Sequence, residues 1–123
     1  MSESRPVTIA VDAVGGDFAP AEILAGVAVA LANDAALKIM LTGPADVVTP
    51  FASNQGGRVE AIPTTETIEM GEHPATAVRS KKDSSIVVGC RLVKEGAADA
   101  FFSAGSTGAA MAAATLVMGR IKG

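Results

Sequence analysis

A short aliphatic or β-branched run, a turn rich in Gly or Pro, and then apolar residues at helical spacing recur in that order along the chain. This grammar constrains the fold more than any other feature. Parallel strands need a crossover, usually a helix, so strands that alternate with helices imply a parallel sheet covered by helices. Residues 7–11 read as a buried strand that stops at Asp12. After a turn over residues 12–18, Pro20 suits a first helical position, and Ile23, Leu24, Val27, Ala28 and Leu31 keep the 3.6-residue period as far as Asn33 and Asp34. Residues 37–41 form the next strand, and Thr42-Gly43-Pro44 leads into a helix through Val47, Val48 and Phe51. A polar loop at 53–57 precedes a third strand at 59–62. Residues 64–74 lose all periodicity and read as a long loop. A helix from about Pro74 takes in Ala77 and Val78, and another covers 84–95, with Asp83 or Ser84 as N-cap and Gly96 as stop. Residues 100–103 are a fourth strand, and 105–108 turn into an Ala-rich helix that reaches about Gly119. The expected fold class is α/β, a mostly parallel sheet with helices on both faces.

Composition agrees with this architecture and closes off others. Ala and Gly together supply 37 of 123 residues, and small side chains let helices approach a sheet closely. A hydrophobic content of 49% against 19% charged residues excludes a disordered chain. One Cys excludes a disulfide scaffold and suits a reducing cytoplasm. A net charge of −3 gives no overall attraction to nucleic acid, and four Phe without Trp or Tyr leave little for base stacking. The apolar run at 7–11 is too short for the core of a signal peptide. Residues 100–119 carry no charge and are long enough to span a bilayer, but Ser103, Ser106, Thr107, Thr115 and three Gly make a soluble segment the better reading.

Two turns carry most of the functional information. Asp12-Ala13-Val14-Gly15-Gly16-Asp17 leaves the first strand, and Ser103-Ala104-Gly105-Ser106-Thr107-Gly108 leaves the fourth. Ligands of open α/β sheets bind outside the carboxyl ends of strands, and a Gly-rich turn that opens a helix presents N–H groups to anions. Ser106 and Thr107 add neutral hydroxyl donors, which together make a candidate phosphate site. Neither turn is a dinucleotide fingerprint or a Walker A loop, and the spacing alone is equally compatible with glycines that only make tight turns. Arg79, Lys81 and Lys82 place three cations within four residues, directly before Asp83-Ser84-Ser85. They suit phosphate, an acidic protein surface, or simply a solvated helix end. Cys90, among Ile86, Val87 and Val93, reads as a packed structural thiol, and His73, alone before Pro74, as a loop residue.

Three motifs in order are similar to those of the phosphate acyltransferase (PlsX) family of bacterial phospholipid synthesis: residues 12–17, residues 79–85 and residues 103–109. Ile68-Glu69-Met70 with Glu72 and Pro74, and Val93-Lys94-Glu95-Gly96, extend the resemblance over nearly all of residues 7–123. Val14 stands where the family usually has Met, and Ser106 where Asn is common. The resemblance implies a Rossmann-like three-layer fold of the isopropylmalate-dehydrogenase type. It also implies transfer of a fatty acyl group from acyl-[acyl carrier protein] to inorganic phosphate, giving acyl phosphate, without metal or organic cofactor. On this basis Gly105, Ser106, Thr107 and Gly108 would contact phosphate or acyl phosphate, and Asp12, Gly15, Gly16 and Asp17 would shape the same cleft. Lys81 and Lys82 would meet phosphate or the carrier protein, and Ser84 and Ser103 belong to the same binding motifs. A phosphotransacetylase-like or isopropylmalate-dehydrogenase-like enzyme, or an inactive fragment that only mediates subunit contacts, is the alternative. Family members are considerably longer, so residues 1–123 read as the N-terminal part of a single α/β catalytic domain. A cytoplasmic homodimer, with membrane contact at most peripheral, is the expected setting.

Overall fold

The computed structural model describes residues 6–69, 71–105 and 107–114. Among them, β1 (Val7–Asp12), β2 (Leu37–Gly43), β3 (Val59–Pro63) and β4 (Ala100–Phe102) form one sheet in the order β3-β2-β1-β4. Every neighbouring pair is parallel. The connections hold α1 (Ala21–Asn33), α2 (Ala45–Ser53), α3 (Pro74–Ser80) and α4 (Ser85–Lys94), and α5 (Thr107–Ala113) follows β4. The α/β class, the parallel sheet and the order of elements are those expected.

Side-chain alternation assigns the helices to two faces. Ile9 and Val11 stand in register with Ile39 and Leu41, and all four belong to one apolar cluster with Val27 and Leu31 of α1 and Val48 of α2. Ala10 is in register with Met40 and Phe101 on the opposite face. There Phe101 packs against a second cluster, to which α4 gives Ile86, Val87 and Cys90 and which takes in α3 and α5. Gly89 is what lets α4 lie so close, since a Cβ there would sit 2.2 Å from the Phe101 ring. Between α1 and the sheet an apolar groove of about 390 Å³ stays open, lined by Ile9, Ile23, Val27, Ile39 and the half-exposed Phe102.

Local signals explain most boundaries. Ser84 is the N-cap of α4, its Oγ accepting from the Val87 N–H at 3.3 Å. Pro74 occupies the first turn of α3. Pro20 lies one position earlier than expected, as the N-cap residue of α1, and offers no side-chain cap; its carbonyl accepts from Leu24 N–H at 2.9 Å. β2 runs on to Gly43 because Thr42 and Gly43 continue the register onto Ile62 and Pro63. Pro50 sits inside α2, and its carbonyl accepts from the Ser53 hydroxyl at 2.8 Å. The α1 C-terminus holds no basic residue of its own. Arg58, directly before β3, serves it, donating to Leu31 O at 2.8 Å, to Leu37 O at 2.9 Å and to Asp34 O. The expected continuation of the last helix to Gly119 falls outside the described residues. No described helix is long and apolar enough to cross a membrane.

Candidate functional site

The carboxyl end of β1 places Asp12 at the centre of the molecule, 1% exposed. Its carboxylate accepts three hydrogen bonds: from the Val14 N–H at 3.0 Å, the Ser85 hydroxyl at 2.7 Å and the Ser103 hydroxyl at 2.8 Å. A buried carboxylate without a counter-ion is costly unless it is hydrogen-bonded, and these donors meet that demand. The bonds also join three separate elements, since Val14 follows β1, Ser85 opens α4 and Ser103 follows β4. Ser103 in turn accepts from the Gly105 N–H at 3.1 Å, which fixes the second Gly turn on the first. Thr42, wholly buried, donates towards Val11 O at 3.3 Å and Ser85 O at 3.1 Å and braces the same junction.

Two glycines make this junction possible. A Cβ on Gly15 would lie 2.6 Å from Asp12 Oδ2 and 2.8 Å from both Gly105 N and Ser103 Oγ. Gly16 adopts φ +102°, a region that L side chains rarely enter, and faces Ala104 O.

Asp12, Gly15, Gly16, Asp17 and Gly105 line a cleft of about 150 Å³ together with Thr67, Ile68 and Glu69 of the 64–73 loop and Ser85 and Ile86 of α4. Helix N-termini carry N–H groups without intrahelical partners, and the first turn of α4 contributes to this cleft. No Lys or Arg lines it among the described residues, whereas three acidic residues do, Asp12, Asp17 and Glu69. The structure therefore brings five of the expected residues to one place, with Ser103 behind them on Asp12 and Ser84 behind them as the buried cap of α4.

The remaining expectations fall elsewhere. Gly108 lies on the α3–α5 contact, where a Cβ would approach Pro74 Cγ to 2.8 Å. Lys81 Nζ donates to Glu72 Oε2 at 2.6 Å and to Thr67 O at 2.8 Å. Lys82 is exposed, and its carbonyl accepts from Arg91 at 3.0 Å. Ser106 and the side chain of Thr107 lie outside the described residues. Ser85 and Thr42 were not singled out by sequence reasoning; only the adjacency of Ser85 to the Ser84 cap hinted at it.

Cys90 is buried, and desolvation pushes its thiol up to about 11, so it stays protonated at neutral pH. His73 is the N-cap of α3, its Nδ1 accepting from the Thr76 N–H at 3.4 Å. Among the described residues no cluster of His, Cys, Asp or Glu is arranged to hold a metal ion.

A protein family described as "fatty acid synthesis protein" matches the chain over residues 7–123. The chain belongs to this family, the PlsX family. The match takes in both Gly turns and the Arg79–Ser85 segment. Named relatives are close in sequence. The chain is 53% identical over 115 residues to a phosphate acyltransferase of Leuconostoc citreum (strain KM20), covering 94% of this chain and 33% of that protein. It is 56% identical over 118 residues to a phosphate acyltransferase of Desulfitobacterium hafniense (strain DSM 10664 / DCB-2), covering 94% and 35%. A third, from Heliobacterium modesticaldum, is 50% identical over 119 residues with the same coverage, 94% and 35%. The chain thus spans about a third of the length of the curated relatives it matches. Val14 fits its position well, because what Asp12 uses there is the main-chain N–H.

Proposed function

We propose that residues 1–123 are the N-terminal part of a single α/β catalytic domain that transfers a fatty acyl group from acyl-[acyl carrier protein] to inorganic phosphate. The observation that carries this reading is the meeting of the two Gly turns, Gly15 against Gly105, beside the first turn of α4, in a chain of this family. In the reaction a phosphate oxygen attacks the thioester carbonyl, the C–S bond breaks, and the carrier leaves as thiolate, giving acyl phosphate. The demand on the protein is to hold a dianion next to that carbonyl and to stabilise the oxyanion. Main-chain N–H groups around Gly15 and Gly16 suit both tasks, and the resemblance to the family implies Ser106 and Thr107 as further contacts. Asp12 keeps those turns in place through its three hydrogen bonds. The exposed Lys82 suits an acidic carrier surface. A cytoplasmic homodimer that uses neither metal nor organic cofactor, with membrane contact at most peripheral, belongs to the same reading.

The test is thiol release from acyl-[acyl carrier protein], followed with a thiol reagent, by the protein carried to the full length of its relatives. Release should depend strictly on added phosphate. Release at the same rate without phosphate would overturn the reading.

A further inference from the structure

Residues 67–69 form one wall of the cleft but belong to a loop without regular structure, so something outside the loop must hold them in place. Its start is fastened by Asp83, whose Oδ2 accepts from the Thr65 N–H at 3.0 Å and the Thr65 hydroxyl at 2.6 Å. Glu66 Oε1 accepts the Asp83 N–H at 3.0 Å in return. Its end is fastened by Lys81 and Glu72. The Lys81 ammonium spans from Glu72 Oε2 to the carbonyl of Thr67, and the same Glu72 oxygen accepts the Glu69 N–H at 2.8 Å. Both side chains are about two-thirds covered, at 31% and 28% exposure, and neither lines the cleft. Two residues of the wall, Thr67 and Glu69, are therefore gripped through the main chain by one ion pair. The Glu69 N–H, and then Lys81, hold the Glu72 carboxyl below its usual range.

We propose that Lys81 is a positioning residue and not a ligand of phosphate or carrier: with Glu72 it clamps residues 67–69 against the Asp12 junction and so sets the width of the cleft. The ammonium has committed two of its three donors to loop oxygens, and the partner carboxylate cancels its charge as felt from the cleft. Glu72 and Lys81 belong to two separate motifs of the sequence, and neither residue lines the cleft. They are the two halves of one fastening.

The proposal rests on the phosphate reading of the cleft, and two readouts on the 123-residue chain keep the two separable. Inorganic phosphate is titrated into ¹⁵N-labelled chain while the amides of Gly15, Gly16 and Gly105 are followed, and exchange of the Glu69 amide is measured alongside. Lys81→Met and Glu72→Gln should each weaken phosphate binding about fivefold and speed Glu69 exchange by a similar factor, with the double variant no worse than either. A direct Lys81–phosphate contact predicts opposite signs: Lys81→Met weakens binding, whereas Glu72→Gln frees the cation and tightens it. That result, or phosphate binding unchanged in both variants, overturns the proposal. If the parent chain shows no response to phosphate, the phosphate reading fails on its own. The clamp then stands if both variants speed Glu69 exchange equally, and falls if they do not.

Discussion

Gly15→Ala tests whether the two Gly turns meet as closely as the site requires. The new methyl carbon would sit 2.6 Å from Asp12 Oδ2 and 2.8 Å from Gly105 N and Ser103 Oγ, where ordinary contact begins at 3.4 Å. Relief therefore needs shifts of 0.6–0.8 Å, and none of the three atoms is the free end of a flexible chain. Asp12 is held by three donors, Gly105 N is backbone, and Ser103 Oγ bonds to both of them. The cheapest escape separates the turns and breaks the Asp12–Ser103 bond. Overpacking at a rigid site together with a lost charge-assisted hydrogen bond costs about 3 kcal/mol. For a domain of this size that lowers Tm by roughly 10 °C. Gly26→Ala is the internal control. It lies in the middle of α1 with nothing within 4 Å of its added Cβ, so the gain in helix propensity should stabilise the chain by about 0.5–1 kcal/mol. Thermal unfolding followed by far-UV circular dichroism reads both. Equal stability of Gly15→Ala and the parent, or equal losses at both positions, would refute the close approach.

Three further outcomes follow from single contacts. Gly89→Ala drives a methyl to 2.2 Å from the Phe101 ring and should cost about 2–3 kcal/mol in urea unfolding, with Phe101→Leu recovering part of the loss. Arg58→Met removes a guanidinium that serves three carbonyls at the end of α1 and the start of β2. It should lower stability by about 1–2 kcal/mol and speed amide exchange in the last turn of α1 ahead of the sheet. Glu72 has its carboxyl held below the ordinary 4.5, so its contribution is present above that pH and is lost as pH falls through the lowered value. Glu72→Gln should therefore flatten the stability profile on the acid side of pH 4.5, and an acid limb identical to the parent's would count against the Lys81–Glu72 pair.

How much was legible beforehand follows from the range of each signal. The strands and helices were visible because a period of 2 or 3.6 residues is written within a dozen positions, as in Ile23, Leu24, Val27 and Leu31 of α1. The Ser84 cap and the Pro74 start were visible for the same reason, a cap and its target being three residues apart. The long loop was correctly seen as lacking periodicity, but its service as a cleft wall was not, since nothing local in residues 67–69 indicates what they face. For Lys81 the resemblance implied contact with phosphate or the carrier protein, and the residues alone left a solvated helix end open. The partner of Lys81, Glu72, is nine residues away across a helix boundary, where no spacing rule applies.

The sequence by itself determined the element order, the α/β class with a parallel sheet, and the two Gly turns at strand ends, because each depends on local period and on residues with special backbone preferences. The tertiary structure alone decided that those turns meet. Asp12 reaches its hydroxyl donors across 73 and 91 residues, and only the strand order β3-β2-β1-β4, which sets β4 beside β1, closes those distances. A buried carboxylate needs donors, but its side chain carries no record of which ones. Packing of the sheet and of α4 supplies them.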